Sequence, residues 1–378
     1  MAPSKIKLNG IAEALLLLFF SILVFTHIFR VSEGLMNISI AFTGIICFVY
    51  YVFFSDSELK LFGGIFCCAM TILMLVSTLY NWNSLVEHIL WIWAYFGVAL
   101  LLYEYGLSRI SATLLVYIGC LFFVYYAVSG RAAVDEIFHG GSENNISTYC
   151  ILLMIVYYLT ELRAGNSRYI SIIPILLILF ISMWTATRSA LLTLGLFLVF
   201  ALIFNFTHNK ITFRFVFAYL VIAGLVTYFV IHYIDQYTVA LADKIEKYGN
   251  ESARTDIWAE YINGLFDNAG NFMLGLSGSS VLYPNLCAYH GNAHNAFLML
   301  HSRYGIVGFI IIIGFLLKAV IKLVKNKQII LISLLSVAVL RSMFDWTAFP
   351  GPLDIIFYFF ILYASDDSEK QTTIICNQ

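Results

Sequence analysis

The sequence predicts an all-α protein that crosses a lipid bilayer many times. Hydrophobic residues make up 61% of its 378 residues and charged residues 11%, whereas soluble domains have about 45–50% and about 25%. Apolar runs of the length that spans a bilayer core, roughly 20 residues for about 30 Å, recur along nearly the whole chain. These observations exclude a soluble domain, and the net charge of −1 does not indicate nucleic acid as a partner.

Twelve apolar runs, separated by polar or glycine-containing breaks, are predicted to be transmembrane helices. They cover residues 9–29, 35–54, 61–80, 87–105, 111–129, 147–162, 169–187, 189–206, 215–235, 304–322, 328–348 and 352–364. The break between the seventh and eighth runs depends on Arg188 alone. The chain then divides into helices 1–9 in residues 1–235, a large loop over 236–303, helices 10–12 in 304–364 and a tail over 365–378.

The distribution of lysine and arginine predicts the orientation. With the N-terminus inside the cell, thirteen of these residues fall on the cytoplasmic side and four in the short outer loops, which agrees with the positive-inside rule. Lys5 and Lys7 precede an apolar run with no small-residue cleavage site after it, so we expect a retained first helix. The tail is then cytoplasmic, and the large loop lies outside the cytoplasm.

The large loop is the longest polar interval in the chain and the expected place for chemistry. Two segments in it, 237–248 and 254–267, space their apolar residues as amphipathic helices do. We expect both helices at the membrane surface. A segment rich in Gly, Ser and Asn follows over 275–292, and turns are typical of such a composition.

Four arginines on the predicted outer side suggest an anionic substrate. Arg188 stands between two apolar runs, where an arginine costs about 2.5–3.5 kcal/mol at the bilayer centre and therefore usually has a partner or a function. Snorkelling to the headgroups is the alternative for Arg188, and pairing with nearby acids is the alternative for Arg254. Together with Arg303 and Arg341, these guanidinium groups fit a lipid-linked diphosphate.

Histidines near the end of the loop raise two possibilities, a metal site and acid–base chemistry. The spacing of His290, His294 and His301 is disfavoured for zinc, since Gly291-Asn292 interrupts any helix there and the His-Glu-x-x-His arrangement is absent. His294 either caps the following helix or acts as a general base on a sugar hydroxyl.

Two further residues are candidates for substrate binding. Asn295 is placed to orient His294 or to bind a hydroxyl group. Trp258 is placed to stack on a sugar ring, although aromatic residues are common at any membrane interface.

Three motifs resemble the O-antigen ligase and Wzy-type polymerase superfamily. They are the Arg-Ser-Ala-Leu-Leu run at 188–192, the Arg-x-x-x-Trp of Arg254 and Trp258, and a His-Asn pair followed after nine residues by Gly-x-x-Gly, from His294 to Gly308. The resemblance covers roughly 145–320 by motif and the whole chain by topology.

The resemblance implies a GT-C-like membrane glycosyltransferase of the bacterial inner membrane whose active site faces the periplasm. Such an enzyme takes sugar from undecaprenyl diphosphate with no metal and no other cofactor. Arg188 and Arg254 would bind the diphosphate and His294 would act on the acceptor hydroxyl. The implied partners are the lipid-linked donor and acceptor glycans, the lipid bilayer and a chain-length regulator.

Three functions are compatible with these features. We expect an O-antigen or capsule repeat-unit polymerase, because residues 144–147 and the segment from Asp345 to Asp354 resemble those of polymerases. An O-antigen ligase that transfers glycan to lipid A-core is the alternative. A lipid-linked glycan flippase ranks third, since transporters place their ionisable groups near the midplane and here they cluster outside.

Overall fold

A computed structural model describes residues 3–28, 32–81, 87–129, 144–166, 168–208, 254–276, 278 and 280–366. The regular secondary structure of these residues is helical throughout. The predicted ninth transmembrane run, 215–235, and the first loop helix, 237–248, lie outside the described residues. The total of twelve spans and the GT-C likeness therefore stay predictions.

The described chain forms helices of very different lengths. They are α1 (Pro3–Ile28), α2 (Glu33–Phe54), α3 (Leu59–Asn81), α4 (Glu87–Glu104), α5 (Arg109–Ser129), α6 (Asn144–Arg163), α7 (Ile173–Trp184), α8 (Arg188–His208), α9 (Arg254–Gly264), α10 (Ala269–Leu274), α11 (Pro284–Ala288), α12 (Ala296–Lys325), α13 (Ile329–Met343) and α14 (Asp354–Ser365). Within the described residues, α2, α3, α5, α6, α8 and α12 are long and apolar enough to cross a membrane, and five shorter apolar helices accompany them. The protein is thus an all-α, multi-pass membrane protein, as predicted.

Two helices lie at the centre of the bundle. In α6, 89% of the most apolar 18-residue window is buried, whereas the corresponding share is 28–44% in the other five long helices. Every residue of α14 from Asp354 to Ala364 is also buried.

The helices α2 and α4 pack closely against each other. A Cβ atom on Gly44 would lie 2.6 Å from Ala94, and one on Gly97 would lie 2.6 Å from the Gly44 carbonyl oxygen.

The break predicted at Arg188 is real and is built by hydroxyl groups. Ala186 has a left-handed backbone, with φ of 47°, so the helical conformation of α7 does not continue through it. The Thr185 hydroxyl bonds the hydroxyls of Ser147 on α6, at 3.1 Å, and of Thr187, at 2.8 Å. This buried network fixes the start of α8 against α6, so that Arg188 becomes the first residue of a new helix.

The tenth predicted span, 304–322, begins where α12 is kinked: the backbone is not helical at Gly305, so α12 consists of a first part over 296–304 and a longer part after Gly305. The sequence did not predict the first part, which the Asn295 side chain caps by accepting hydrogen bonds from the amides of Phe297 and Leu298, at 2.9 and 3.2 Å. Arg303 and its polar neighbours lower the hydropathy of the first turns, yet they are buried within the protein. The short helices α10 and α11 were not predicted, since six and five residues show no clear period.

The loop helices are anchored to the bundle by hydrogen bonds. The Leu274 carbonyl oxygen at the end of α10 accepts bonds from Ser77 Oγ, at 2.6 Å, and Asn81 Nδ2, at 2.8 Å, both on α3. His301 on α12 joins the loop through both ring nitrogens: Nδ1 lies 2.9 Å from the Tyr261 hydroxyl and Nε2 lies 2.8 Å from the Phe272 carbonyl oxygen. These contacts hold the loop over one end of the bundle.

Candidate active site

The first turns of three helices meet the connection between α13 and α14. The link is Arg341, whose side chain is fully buried. Its Nη1 donates to Ser189 Oγ on α8, at 3.1 Å, and its Nη2 donates to the Asn144 carbonyl oxygen on α6, at 3.1 Å, and to Asp345 Oδ2, at 3.2 Å. The N-termini of α6 and α8 are therefore held side by side, and the third helix, α9, begins at Arg254.

Arg254 shares this region with Arg188 and Arg341. Burial lowers the pKa of the Arg254 guanidinium, Asp345 raises it, and the positive charges of Arg341 and Arg188 lower it again. The three guanidinium groups are thus close enough to repel one another, and Asp345 is the carboxylate that offsets them. Helix N-termini add partial positive charge at the same place, so the arrangement favours a bound anion.

Arg188 and Arg254 remain accessible to such an anion. Arg188 is exposed at the first position of α8, and Arg254 is half-buried at the first position of α9. Arg341, in contrast, has both terminal nitrogens bonded to protein atoms, and its Nε has no partner among the described residues. We call Arg188, Arg254, Arg341, Asp345 and His294 the arginine–histidine cluster.

His294 joins this cluster through Asp345. Its Nδ1 lies 3.8 Å from Asp345 Oδ1, an ion-pair distance that is longer than a hydrogen bond. Burial alone would raise the pKa of the Asp345 carboxyl, but His294, Arg341 and Arg254 together hold it well below its usual value. Asp345 is therefore a carboxylate at neutral pH, and its negative charge lies beside the imidazole, whose Nδ1 has no hydrogen-bond partner among the described residues.

The backbone around His294 is held in an uncommon conformation. His294 has φ of 47°, and a non-glycine residue in this left-handed region costs about 1–3 kcal/mol. Its amide donates to Asn292 Oδ1 at 2.8 Å, and the Trp258 indole nitrogen donates to the Ala293 carbonyl oxygen at 2.8 Å. With the Asn295 cap on the other side, these bonds aim the imidazole at Asp345.

The predicted site residues thus divide into three groups. The structure brings Arg188, Arg254, Arg341 and His294 together. Trp258 and Asn295 hold the backbone on either side of His294. Arg303 lies apart, buried in α12 with its guanidinium carbon 5.3 Å from the centre of the Trp346 ring.

The predicted histidine triplet is separated by its hydrogen bonds. Both ring nitrogens of His301 are bonded within the protein fold, His290 is exposed, and His294 faces Asp345. Within the described ranges, no group of three His, Cys, Asp or Glu side chains could hold a metal ion.

Asp345 is the member of the cluster that was not among the predicted site residues. Its spacing of four from Arg341 is a signal for an ion pair within one helix, and a pairing of the two is expected on that ground. Its contact with His294, 51 positions earlier in the chain, has no local signal.

Part of this chain matches a known protein family. Residues 173–313 match the family described as O-antigen ligase, and this range contains Arg188, Arg254 and His294. Comparisons with curated proteins and with solved structures give no significant match. Members of the matching family are membrane glycosyltransferase-like enzymes. The region from 173 to 313, which supplies two arginines and the histidine of the cluster, is therefore similar to the O-antigen ligase family.

Proposed function

We propose that this protein is a membrane glycosyltransferase that uses an oligosaccharide linked to undecaprenyl diphosphate. The observation that carries the proposal is the convergence of Arg188 and Arg254 with the pair His294 and Asp345 at one end of a helical bundle. Two accessible guanidinium groups suit a diphosphate, and an imidazole beside a carboxylate suits a group that removes a proton.

The proposed reaction needs only side chains of this chain. An acceptor sugar hydroxyl attacks the anomeric carbon of the donor sugar, and its proton passes to the His294 imidazole. The bond from the anomeric carbon to the diphosphate oxygen breaks, and the electron pair leaves with the diphosphate. Arg188 and Arg254 stabilise the charge that develops there, while Asp345 stabilises the protonated imidazole. The chemistry calls for no metal or other cofactor.

Among such transferases we propose a repeat-unit polymerase for O-antigen or capsule. The two segments that resemble those of polymerases, 144–147 and 345–354, both touch the cluster, because Arg341 bonds Asn144 and Asp345. An O-antigen ligase is the second candidate, favoured by the description of the matching family. We propose a chain-length regulator as a further partner of the polymerase.

The orientation supports a site at the periplasmic face of the inner membrane. The end of the bundle opposite the cluster holds the ends of α4, α6 and α12, where Arg163, Lys322 and Lys325 lie. Positive charge at that end is typical of the cytoplasmic side. The lipid-linked donor would then reach the arginine–histidine cluster from the outer leaflet.

The test is deletion of the gene in its source strain, followed by lipopolysaccharide gels. Loss of a polymerase leaves core that carries a single repeat unit, because the ligase still accepts unpolymerised donor. Loss of a ligase leaves bare core, with long polymer accumulating on the lipid carrier. For a capsule polymerase, high-molecular-weight polymer disappears and core is unchanged.

Complementation then tests the site itself. The wild-type gene should restore the glycan, whereas His294→Asn should not. Asparagine tolerates the left-handed backbone at this position better than most residues, so this variant removes the imidazole while preserving the turn. Unchanged glycan in the deletion strain contradicts the proposed function as a whole.

A further inference from the structure

A cavity of about 230 Å³ opens beside the arginine–histidine cluster. Its walls come from α1, α2, α4, the start of α6 and the connection between α13 and α14. The lining residues are Leu23, Met36, Asn37, Ile40, His88, Trp91, Tyr95, Asn145, Thr148, Tyr149, Trp346, Thr347, Pro350, Gly351 and Pro352.

The cavity borders the cluster along two stretches of chain. Trp346 and Thr347 directly follow Asp345, and the Trp346 amide donates to Asp345 Oδ1 at 2.9 Å. Asn145 directly follows Asn144, whose carbonyl oxygen accepts from Arg341. A ligand in the cavity would therefore lie next to the reacting groups.

The chemistry of the walls suits a carbohydrate. Trp91 and Trp346 offer indole rings, and Trp91 stacks on Tyr95 with ring centres 5.2 Å apart, so a flat aromatic wall is already built. Asn37, Asn145 and Thr148 add amide and hydroxyl groups. Apolar rings combined with a few polar groups that fix orientation are typical of ligand pockets, and sugars present both an apolar face and hydroxyls.

Two buried nitrogen atoms beside the cavity lack partners. His88 Nδ1 and Trp346 Nε1 have no hydrogen-bond partner among the described residues, although the two rings lie edge to face with centres 6.0 Å apart. A buried polar atom without a partner is costly, by about 1–3 kcal/mol. Both atoms are buried, so a ligand hydroxyl would reach them only after the two rings rotate.

The volume of the cavity and the charge of its lining restrict the kind of ligand further. The volume is below the roughly 300–1,000 Å³ of pockets for drug-sized ligands, so it suits one sugar ring and not an oligosaccharide. No Asp, Glu, Lys or Arg is among the described residues that line the cavity, although the Arg303 guanidinium packs on the Trp346 ring. The cavity therefore fits an uncharged ring, in contrast to the cationic cluster beside it.

We propose that this cavity is a subsite for one uncharged sugar ring of the oligosaccharide substrate, a proposal that rests on the proposed glycosyltransferase function. The ring belongs either to the donor or to the acceptor glycan. In both cases Trp91 supplies the stacking surface, and Asn37 contacts hydroxyl groups. Neither residue contacts the reacting atoms, so both are specificity residues.

Equilibrium binding to the detergent-solubilised full-length protein tests the subsite. The probe is the labelled oligosaccharide that mild acid releases from the lipid-linked repeat unit, which lacks the diphosphate. We expect Trp91→Leu to weaken binding about tenfold, because a stacked aromatic ring contributes much of the contact area. Asn37→Ala, a milder change, should weaken binding several-fold. This variant replaces Trp91→Leu as the test if Trp91→Leu fails to fold.

Trp93→Leu is the matched control. Trp93 lies on the same helix but donates its indole N–H to Thr71 Oγ1 at 3.1 Å and packs on Phe48, and it does not line the cavity. This variant should bind like the wild type.

The outcomes separate this proposal from the proposed function. No binding by the wild type, or wild-type binding by both Trp91→Leu and Asn37→Ala, overturns the subsite. Binding that depends on Trp91 in a protein without transferase activity supports the subsite and contradicts the proposed function. In an active protein, a raised KM for the acceptor alone assigns the ring to the acceptor, and a raised KM for the donor alone assigns it to the donor.

Discussion

At the scale of single residues, the three arginines of the arginine–histidine cluster occupy very different environments. Arg341 is fully buried and bonded through both terminal nitrogens, whereas Arg188 is exposed and Arg254 is half-buried. Arg341 therefore organises the site, and the other two arginines are available to a ligand. Their mutual repulsion is offset by Asp345, and a bound diphosphate would relieve it further.

Replacement of either accessible arginine by lysine tests this division. A guanidinium fork meets a phosphate through paired hydrogen bonds that an ammonium cannot reproduce, and hydrogen bonds to charged groups contribute about 1.5–3 kcal/mol. Arg188→Lys and Arg254→Lys should each lower transfer activity at least tenfold at unchanged membrane levels. Arg109→Lys, at the other end of the bundle, should keep activity. Full activity in both site variants would refute diphosphate binding.

The Asp345 carboxylate predicts a pH dependence of stability. Its pKa is lower in the folded protein than in the unfolded chain, so its stabilising contribution is complete above the unfolded value, about 3.9, and is lost as the pH falls through the folded value. Asp345→Asn should lower the unfolding temperature at pH 7, since removing one partner of a buried pair costs up to about 3–5 kcal/mol. The gap from the wild type should narrow at pH 3.

The matched control for Asp345 is a second arginine–carboxylate pair among the described residues. Arg109 bonds Glu161 at 2.6 Å; the Glu161 side chain is buried, but the Arg109 side chain is 63% exposed, so water can solvate the guanidinium when its partner is lost. Glu161→Gln should shift the unfolding temperature less than Asp345→Asn does at pH 7. Equal shifts would contradict the buried role of Asp345.

At the scale of elements, α12 connects the loop that carries His294 to the helical bundle. Its first residue follows His294 and Asn295 directly, and His301 within it bonds Tyr261 and Phe272 in the loop. At Gly305 the helix is kinked, with φ of 65° and ψ of −174°. The position of His294 therefore depends on how this helix begins and bends.

The cap at Asn295 can be separated from a role in substrate binding. Asn295→Ala should destabilise the protein by about 1 kcal/mol through loss of the cap and should also lower activity. Asn295→Asp keeps an oxygen acceptor for the two amides and should restore thermal stability. If the alanine variant melts like the wild type, the cap has no energetic importance.

The kink at Gly305 predicts a contrast between two glycines of one helix. The backbone of Gly305 lies in a region that is essentially restricted to glycine, and an added Cβ would collide with the Met273 carbonyl oxygen. Gly305→Ala should therefore destabilise the protein by at least about 1–3 kcal/mol. A methyl group added at Gly314 would have no neighbouring atom within 4 Å, so Gly314→Ala should be neutral in the same thermal unfolding assay.

At the scale of the whole molecule, the two ends of the bundle differ in chemistry. One end carries the loop helices, the arginine–histidine cluster and the cavity. The opposite end is tied by basic side chains to backbone carbonyls: Lys322 bonds the Tyr363 carbonyl oxygen at 3.2 Å, and Arg163 bonds the Tyr103 carbonyl oxygen. This asymmetry agrees with a cytoplasmic face opposite the site.

Cysteine labelling tests the orientation. In a variant whose seven native cysteines are replaced, Val281→Cys should react with a membrane-impermeant maleimide in spheroplasts, because Val281 is 89% exposed in the loop. Asn326→Cys, between α12 and α13, should react only after permeabilisation. The reverse pattern would place the cluster in the cytoplasm and exclude a periplasmic reaction.

Local sequence information determined the membrane class, most helix positions and the candidate arginines and histidine. Apolar runs are long because each helix must cross the bilayer, so composition alone reveals them. The break between α7 and α8 was also predicted, since the charged residue Arg188 interrupts an otherwise apolar sequence there. Motif spacing selected Arg254 and His294, and the structure shows that both interact with Asp345.

Tertiary structure alone decided how these residues are used. Asp345 meets His294, and Arg341 joins α6 to α8, only because helices distant in the chain pack together. Hydropathy also missed the part of α12 that precedes the kink at Gly305, because Arg303 is polar in sequence but enclosed by protein. The cavity beside the cluster is formed by four helices and one connection. Its shape depends on how these segments pack together, and the sequence of one segment does not indicate which other segments it contacts.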